Sequence, residues 1–68
     1  MNGILVWNQD RPDVVLENGQ LYGGLHCGDC FWCYQGKWRS VRLEYLDGWI
    51  LFCDGETMAV PYGNAVKL

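Results

Sequence analysis

Turn signals recur every few residues along this 68-residue chain and leave no stretch long enough for an amphipathic helix. Short runs of β-branched and aromatic residues lie between the turns, a composition typical of strands. Many short strands joined by tight glycine-containing turns predict an all-β fold: a small SH3-like barrel of about five to seven short antiparallel strands. An oligonucleotide-binding barrel is usually longer and ranks second. The predicted strands cover residues 4–7, 14–17, 20–27, 30–34, 38–46, 49–54, 58–60 and 65–68.

The segments between the predicted strands carry the usual loop residues. Residues 8–13 are polar and contain Pro12, so they are predicted to form a loop. Asn18-Gly19 is a strong two-residue hairpin signal. Gly23-Gly24 lies inside the predicted strand 20–27 and indicates a bulge or a sharp bend there.

Length and charge limit the classes of protein that the chain can belong to. It forms one small domain, residues 1–68, with half of its residues hydrophobic, which argues against disorder. The formal net charge is −3. Duplex nucleic acid is therefore not an expected partner, since binding its phosphates requires clustered Lys and Arg. Lys37, Arg39 and Arg42 lie close together, but Glu44 and Asp47 follow at once.

No apolar run has the length of a membrane span, and the N-terminus lacks the features of a signal peptide. The sequence therefore predicts a cytoplasmic protein with no membrane partner. In that compartment the four cysteines are expected to be thiols or metal ligands rather than disulfides.

Residue parity assigns side chains to the two faces of the central sheet. If residues 35–37 form a three-residue loop, Tyr34 lies opposite Trp38 and Cys30 opposite Arg42. If Asp47-Gly48 is a two-residue turn, one face is an apolar core: Phe31, Cys33, Val41, Leu43, Tyr45, Ile50 and Phe52. The other face is then mixed: Trp32, Tyr34, Trp38, Ser40, Arg42, Glu44, Trp49, Leu51 and Cys53.

The second turn has an alternative. Residues 46–48 could form a three-residue loop with a glycine bulge, which shifts the register by one residue. Trp49 and Leu51 would then join the core, and Ile50 and Phe52 would lie outside. The placement of Trp32, Tyr34, Trp38 and Arg42 depends only on the first turn and is the same in both registers.

The mixed face has three interpretations. Its aromatic residues could pack under the terminal strands as part of the core. They could form a self-association surface, which would make the protein a homo-oligomer. The interpretation that we favour is a ligand-binding surface, because Arg stacks on aromatic rings and binds carboxylates or phosphates through two nitrogens. The candidate binding residues are Trp32, Tyr34, Trp38, Arg42 and Glu44.

Cysteines offer a second, structural hypothesis. Cys27 and Cys30 have the spacing of a zinc knuckle, and Cys53 and His26 could complete a tetrahedral site. A second knuckle is missing, so we expect no metal cofactor. In that case Cys27 and Cys30 pack at a turn, and Cys33 and Cys53 act as small buried hydrophobic residues.

Catalytic patterns are weak. His26 and Cys27 are neighbours that would point to opposite faces of a strand, and no phosphate-binding loop is present. Asp29 and Glu44 could form a carboxylate pair, but charged residues near turns are usually just solvated. We expect a protein without enzymatic activity.

Several positions resemble a known family. They are residues 24–29 (Gly-Leu-His-Cys-Gly-Asp), Phe31, Gly36, Trp38, Arg42, Glu44 and Trp49-x-Leu51. The pattern is similar to that of short bacterial and phage or mobile-element proteins described only as a domain of unknown function. The resemblance covers about the middle half of the chain, implies a phage or mobile-element origin and supplies no activity. In that family the positions of Cys33 and Cys53 need not be cysteine.

These observations lead to one hypothesis about function. The chain is expected to be a non-catalytic binding module that captures a protein or a small nucleotide-like ligand through the aromatic and arginine face. The zinc-stabilised structural domain is the alternative.

Overall fold

The computed structural model describes all 68 residues and contains seven strands and no helix. The strands are β1 (Asn2–Asn8), β2 (Arg11–Leu16), β3 (Cys30–Tyr34), β4 (Trp38–Tyr45), β5 (Trp49–Cys53), β6 (Glu56–Ala59) and β7 (Ala65–Lys67). They form one antiparallel sheet in the order β2-β1-β7-β3-β4-β5-β6. The molecule measures 33 × 27 × 17 Å. None of its segments is a helix that could cross a membrane.

The predicted all-β class is confirmed, and so is the antiparallel pairing of short strands. Strands β2 and β6 are the two edges of the sheet and do not pair with each other. Closure of the sheet into an SH3-like barrel therefore stays a prediction. The C-terminal strand β7 lies between β1 and β3, which joins the N-terminal hairpin to the central strands.

One face of the sheet carries the core. Alternation along each strand sends every second side chain to this side, as in β3, where Phe31 and Cys33 are buried and their neighbours are exposed. The loops contribute Leu25 and Val60. The core consists of Leu5, Val14, Leu25, Phe31, Cys33, Val41, Leu43, Leu51, Cys53, Val60 and Val66.

The β3–β4 hairpin has the predicted register. Tyr34 lies opposite Trp38, Trp32 opposite Ser40, and Cys30 opposite Arg42. The Gln35 N–H donates to the Lys37 carbonyl at 2.8 Å, and Gly36 adopts a φ of 78° within the three-residue loop. Glycine adopts this left-handed conformation at no steric cost, which explains why the turn could be placed from the sequence.

The preferred register of the β4–β5 hairpin was wrong, and the alternative is the one observed. Leu43 lies opposite Leu51, so the loop contains residues 46–48. Leu51 and Cys53 therefore belong to the core, and Trp49 packs against it. Ile50 and Phe52 lie on the opposite face.

Tyr45 is a second correction to the predicted core. It shares a face with Leu43, but it lies at the end of the strand and is 56% exposed. Its ring packs edge to face on Trp49, with centroids 5.2 Å apart. The core does not extend to this end of the sheet, so the Tyr45 and Trp49 rings lie at the edge of the core.

The predicted loop over residues 8–13 is shorter than expected. A tight turn at Gln9-Asp10 is followed by β2, in which Pro12 pairs with Trp7. Proline has no N–H to donate, but an edge strand tolerates it. The Pro12 carbonyl still accepts a hydrogen bond from the Leu25 N–H at 3.1 Å.

The predicted strand over residues 20–27 is absent. The chain reverses at Asn18-Gly19, but the loop contains the three residues 17–19 instead of the predicted two, because the Leu16 N–H donates to the Gln20 carbonyl at 2.8 Å. Only an isolated bridge between Val15 and Leu21 follows it. Gly23 and Gly24 have φ values of 118° and 96°, which take the backbone out of the extended conformation. The segment instead runs along the free edge of β2 and delivers Leu25 to the core.

Candidate functional site

We call the surface opposite the core the outer face. On strands β3, β4, β5 and β7 it consists of Cys30, Trp32, Tyr34, Trp38, Ser40, Arg42, Glu44, Ile50, Phe52, Ala65 and Lys67. All five candidate residues lie there, as parity predicted. The aromatic ones are well exposed: Trp32 by 51%, Tyr34 by 45% and Trp38 by 37%. The interpretation that they pack inside as core is therefore wrong.

Trp38 is the most enclosed of these aromatic residues. Tyr34 packs on it edge to face, with ring centroids 5.3 Å apart. The ammonium of Lys67 lies 4.3 Å from the centroid of the Trp38 ring, which is a cation–π contact. One face of the indole is thus already occupied by a side chain of the protein.

Arg42 is held by two neighbours, Glu44 on its own strand β4 and Phe52 on the adjacent strand β5. Its Nε lies 2.7 Å from Oε2 of Glu44, and its guanidinium carbon lies 5.2 Å from the centroid of the Phe52 ring. These contacts fix the side chain while leaving it half exposed. Its two terminal nitrogens remain available to a ligand. Beside Arg42 is a shallow depression of about 300 Å³, lined by Cys30, Ser40, Val41, Phe52, Cys53, Asp54 and Gly55.

Trp32 lies at the middle of the outer face. It is flanked by Ser40 on β4 and by Lys67 on β7. Its ring takes part in none of the aromatic pairs or cation–π contacts of the structure. Of the large aromatic side chains on this face, Trp32 is therefore the one whose ring makes no aromatic or cation–π contact, and it is the most exposed.

Sequence reasoning missed Ile50, Phe52, Ala65 and Lys67 of this surface, and of these Phe52 and Lys67 contact candidate residues. Phe52 was assigned to the core because the preferred β4–β5 turn was one residue too short, and the three-residue alternative would have found it. Lys67 could not be found from local patterns, because β7 reaches the outer face through pairing with β3 across more than thirty residues of chain.

The cysteines fall into two pairs. Cys27 and Cys30 are exposed, whereas Cys33 and Cys53 are buried in the core. Burial raises the pKa of the Cys33 thiol. Cys53 was expected on the mixed face with Cys30, but the observed register turns it to the opposite side of the sheet. The residues of the zinc hypothesis are therefore not brought together, and no group of three or more metal-binding side chains forms.

His26 and Asp29 lie in one turn before β3. The Asp29 carboxylate accepts a hydrogen bond from the His26 N–H at 2.8 Å, and Gly28 adopts a φ of 89° between them. Nδ1 of His26 lies 3.8 Å from the same carboxylate oxygen. Glu44 is engaged with Arg42 instead of with Asp29. The contacts between His26 and Asp29 stabilise the turn over residues 26–29, which directly precedes β3.

Fold and surface together define a small all-β protein with an exposed aromatic face on its central strands. The chain belongs to the family described as a domain of unknown function, DUF5348, whose model matches residues 3–64. This confirms that the chain is a member of an uncharacterised domain family.

A solved structure is similar to this chain in sequence and fold. A crystal structure of a protein from Ruminococcus gnavus, a structural genomics target, is 32% identical to this chain and superposes with a TM-score of 0.82. The match covers 100% of both chains. Curated proteins gave no match.

Proposed function

We propose that the protein is a non-catalytic binding module that captures its ligand through the outer face. The observation that carries the proposal is the exposure of Trp32, Tyr34 and Trp38 on a face that the core does not use. A small domain needs one apolar face to fold, so large aromatic side chains on the second face serve another purpose.

The composition of the outer face favours a recognition role. Tryptophan, tyrosine and arginine are the residues that most often dominate binding energy at interfaces. Arg42 is held in place by Glu44 and Phe52, so little conformational entropy is lost when a ligand engages it. The ligand classes that fit are a protein surface and a small nucleotide-like molecule. In a phage or mobile element, such a module would act as an accessory protein that captures a component of the host.

The proposal is tested by capture from a bacterial lysate on immobilised chain, with mass spectrometry of the retained proteins and small molecules. Arg42→Ala and Trp38→Ala are expected to abolish retention. Arg39→Ala is the matched control, because Arg39 lies on the same strand but on the core side, where it pairs with Asp54 at 2.6 Å. Thermal unfolding of each variant verifies that it is folded.

Two results would contradict the proposal. If Arg39→Ala removes the captured ligand as completely as Arg42→Ala does, binding does not use the outer face. If Arg42→Ala unfolds the chain, Arg42 is a structural residue and its assignment to a binding surface is wrong.

A further inference from the structure

We infer that the outer face binds single-stranded nucleic acid, with a base stacked on the indole of Trp32 and the backbone phosphates bound by Lys67 and Arg42. The inference rests on the proposed function and names the class of ligand. It follows from three features of the outer face: a tryptophan ring without aromatic or cationic contacts, a cationic residue on each of the two neighbouring strands, and few carboxylates.

The ring without such contacts is that of Trp32. It is 51% exposed, and no aromatic or cationic side chain covers it. Each nucleobase has a flat face that stacks on such a ring, and stacking of this kind tolerates any sequence. In a duplex these base faces are hidden inside the helix, so the surface selects a single strand.

The cations lie on the strands either side of Trp32. Lys67 is its direct neighbour on β7, and Arg42 lies on β4, two residues beyond Ser40. The Lys67 ammonium lies 4.3 Å from the centroid of the Trp38 ring. These two strands are about 10 Å apart, because each step across a sheet is about 4.8 Å. Phosphates on both sides of a stacked base can therefore be bound at the same time when the Lys67 side chain leaves the Trp38 ring and reaches the phosphate on its side. Ser40 lies directly opposite Trp32 on β4, and its hydroxyl can donate a hydrogen bond to the same ligand.

The net charge of −3 does not oppose this arrangement, because most acidic residues lie away from Trp32. Asp54 lines the depression beside Arg42, but its carboxylate lies 2.6 Å from Arg39. On strands β3 to β7 the only carboxylate of the outer face is that of Glu44, and it is already 2.7 Å from Arg42. Asp13 is buried, and the remaining acidic side chains lie in turns or on the core side of β6. Stacking supplies most of the affinity in this arrangement, and two phosphate contacts add to it.

The experiment measures fluorescence anisotropy of a fluorescein-labelled oligothymidylate of about eight nucleotides, titrated with the full chain. Trp32→Ala is expected to weaken binding at least about fivefold, and Trp32→Phe to restore most of it. The matched control is Trp7→Ala. Trp7 is 52% exposed and packs edge-on against Tyr62 on the core side of the sheet, so its loss is expected to leave binding unchanged.

Salt dependence tests the role of the cations. Two phosphate contacts predict a slope of about −1.4 for the logarithm of the binding constant against the logarithm of salt concentration, and Lys67→Gln is expected to reduce it to about −0.7. A duplex of the same length is expected not to bind. A duplex that binds as tightly as the single strand, or a slope unaffected by Lys67→Gln, would overturn the inference.

The remaining outcomes separate this inference from the proposed function. If the oligonucleotide does not bind but a captured protein still depends on Arg42, the ligand class is wrong and the binding face is right. If the chain dimerises in sedimentation and Trp32→Ala makes it monomeric, the outer face is a self-association surface and the inference fails. If Trp32→Ala and Trp7→Ala weaken oligonucleotide binding equally, both the inference and the proposed face are wrong.

Discussion

Asp13 lies at the point where the segment after β2 attaches to the sheet, and its removal is expected to destabilise the protein strongly. The carboxylate is completely buried. Its Oδ1 accepts hydrogen bonds from the Val14 N–H at 2.8 Å and from the Gly23 N–H at 3.2 Å, and its Oδ2 accepts one from the Asn8 side-chain amide at 3.1 Å. These bonds hold the glycine pair in place, and Leu25 then enters the core.

The size of the effect follows from the donors that would lose their partner. Each buried donor left without an acceptor costs about 1–3 kcal/mol. Gly23 is exposed and Asn8 is half-buried, so water replaces part of what they lose. Three donors lose their acceptor, so we expect Asp13→Ala to lower the free energy of unfolding by about 3 kcal/mol, which corresponds to the lower limit of about 1 kcal/mol for each donor. In a domain of this size the melting temperature would fall by about 12–24 °C.

Urea denaturation followed by tryptophan fluorescence measures this loss. Asp10→Ala is the matched control, because the Asp10 side chain is 80% exposed in the neighbouring turn and lies 3.6 Å from Arg11. Its effect is expected to stay within about 0.5 kcal/mol. If Asp13→Ala destabilises no more than Asp10→Ala does, the hydrogen bonds of Asp13 do not anchor the segment and the reasoning is refuted.

The same residue makes stability depend on pH. Burial raises the pKa of Asp13, but the hydrogen bonds from Gly24, Val14, Asn8 and Gly23 together outweigh it and leave the pKa below the ordinary value of an aspartate. A lowered pKa in the folded state means that the carboxylate stabilises the protein above the pKa of the unfolded chain. The contribution is lost as the pH falls through the folded-state pKa. The stability difference between the natural chain and Asp13→Asn, measured by urea denaturation, should therefore be constant near neutral pH and shrink in acid.

Three further predictions test the register, the packing and the thiols. In urea denaturation, Leu51→Ala is expected to lower the free energy of unfolding by about 2–5 kcal/mol, because the Leu51 side chain is fully buried. Phe52→Ala is expected to lower it less, because Phe52 is only partly buried. The reverse order would favour the two-residue turn. Gly3→Ala is expected to cost about 1–3 kcal/mol because its new Cβ would overlap β2, and an unchanged melting temperature would contradict this. Iodoacetamide is expected to modify only Cys27 and Cys30 in the folded protein, and the buried thiols of Cys33 and Cys53 only after unfolding. Mass spectrometry counts the adducts. Four adducts on the folded chain would show that the core opens readily.

Local chemistry along the chain determines the central hairpin and the surface that it carries. The glycine-containing loop at Gly36 places Trp38 opposite Tyr34, and strand alternation then puts Trp32 and Arg42 on the same face. A hairpin of this kind involves residues that are adjacent in the chain, and its backbone conformation depends on the residues in the turn itself. For that reason the candidate surface could be predicted from sequence.

The tertiary structure alone decided the remaining features. At residues 46–48 both loop lengths are chemically acceptable, and burial of Leu51 selects one of them. Lys67 reaches the neighbourhood of Trp32 only because β7 inserts between β1 and β3. Likewise, Asp13 gained its role from Gly23, which comes to it through the path of the chain beyond β2. Such choices depend on which distant segments bury apolar surface together, and that free energy belongs to the assembled sheet rather than to any one segment of the chain.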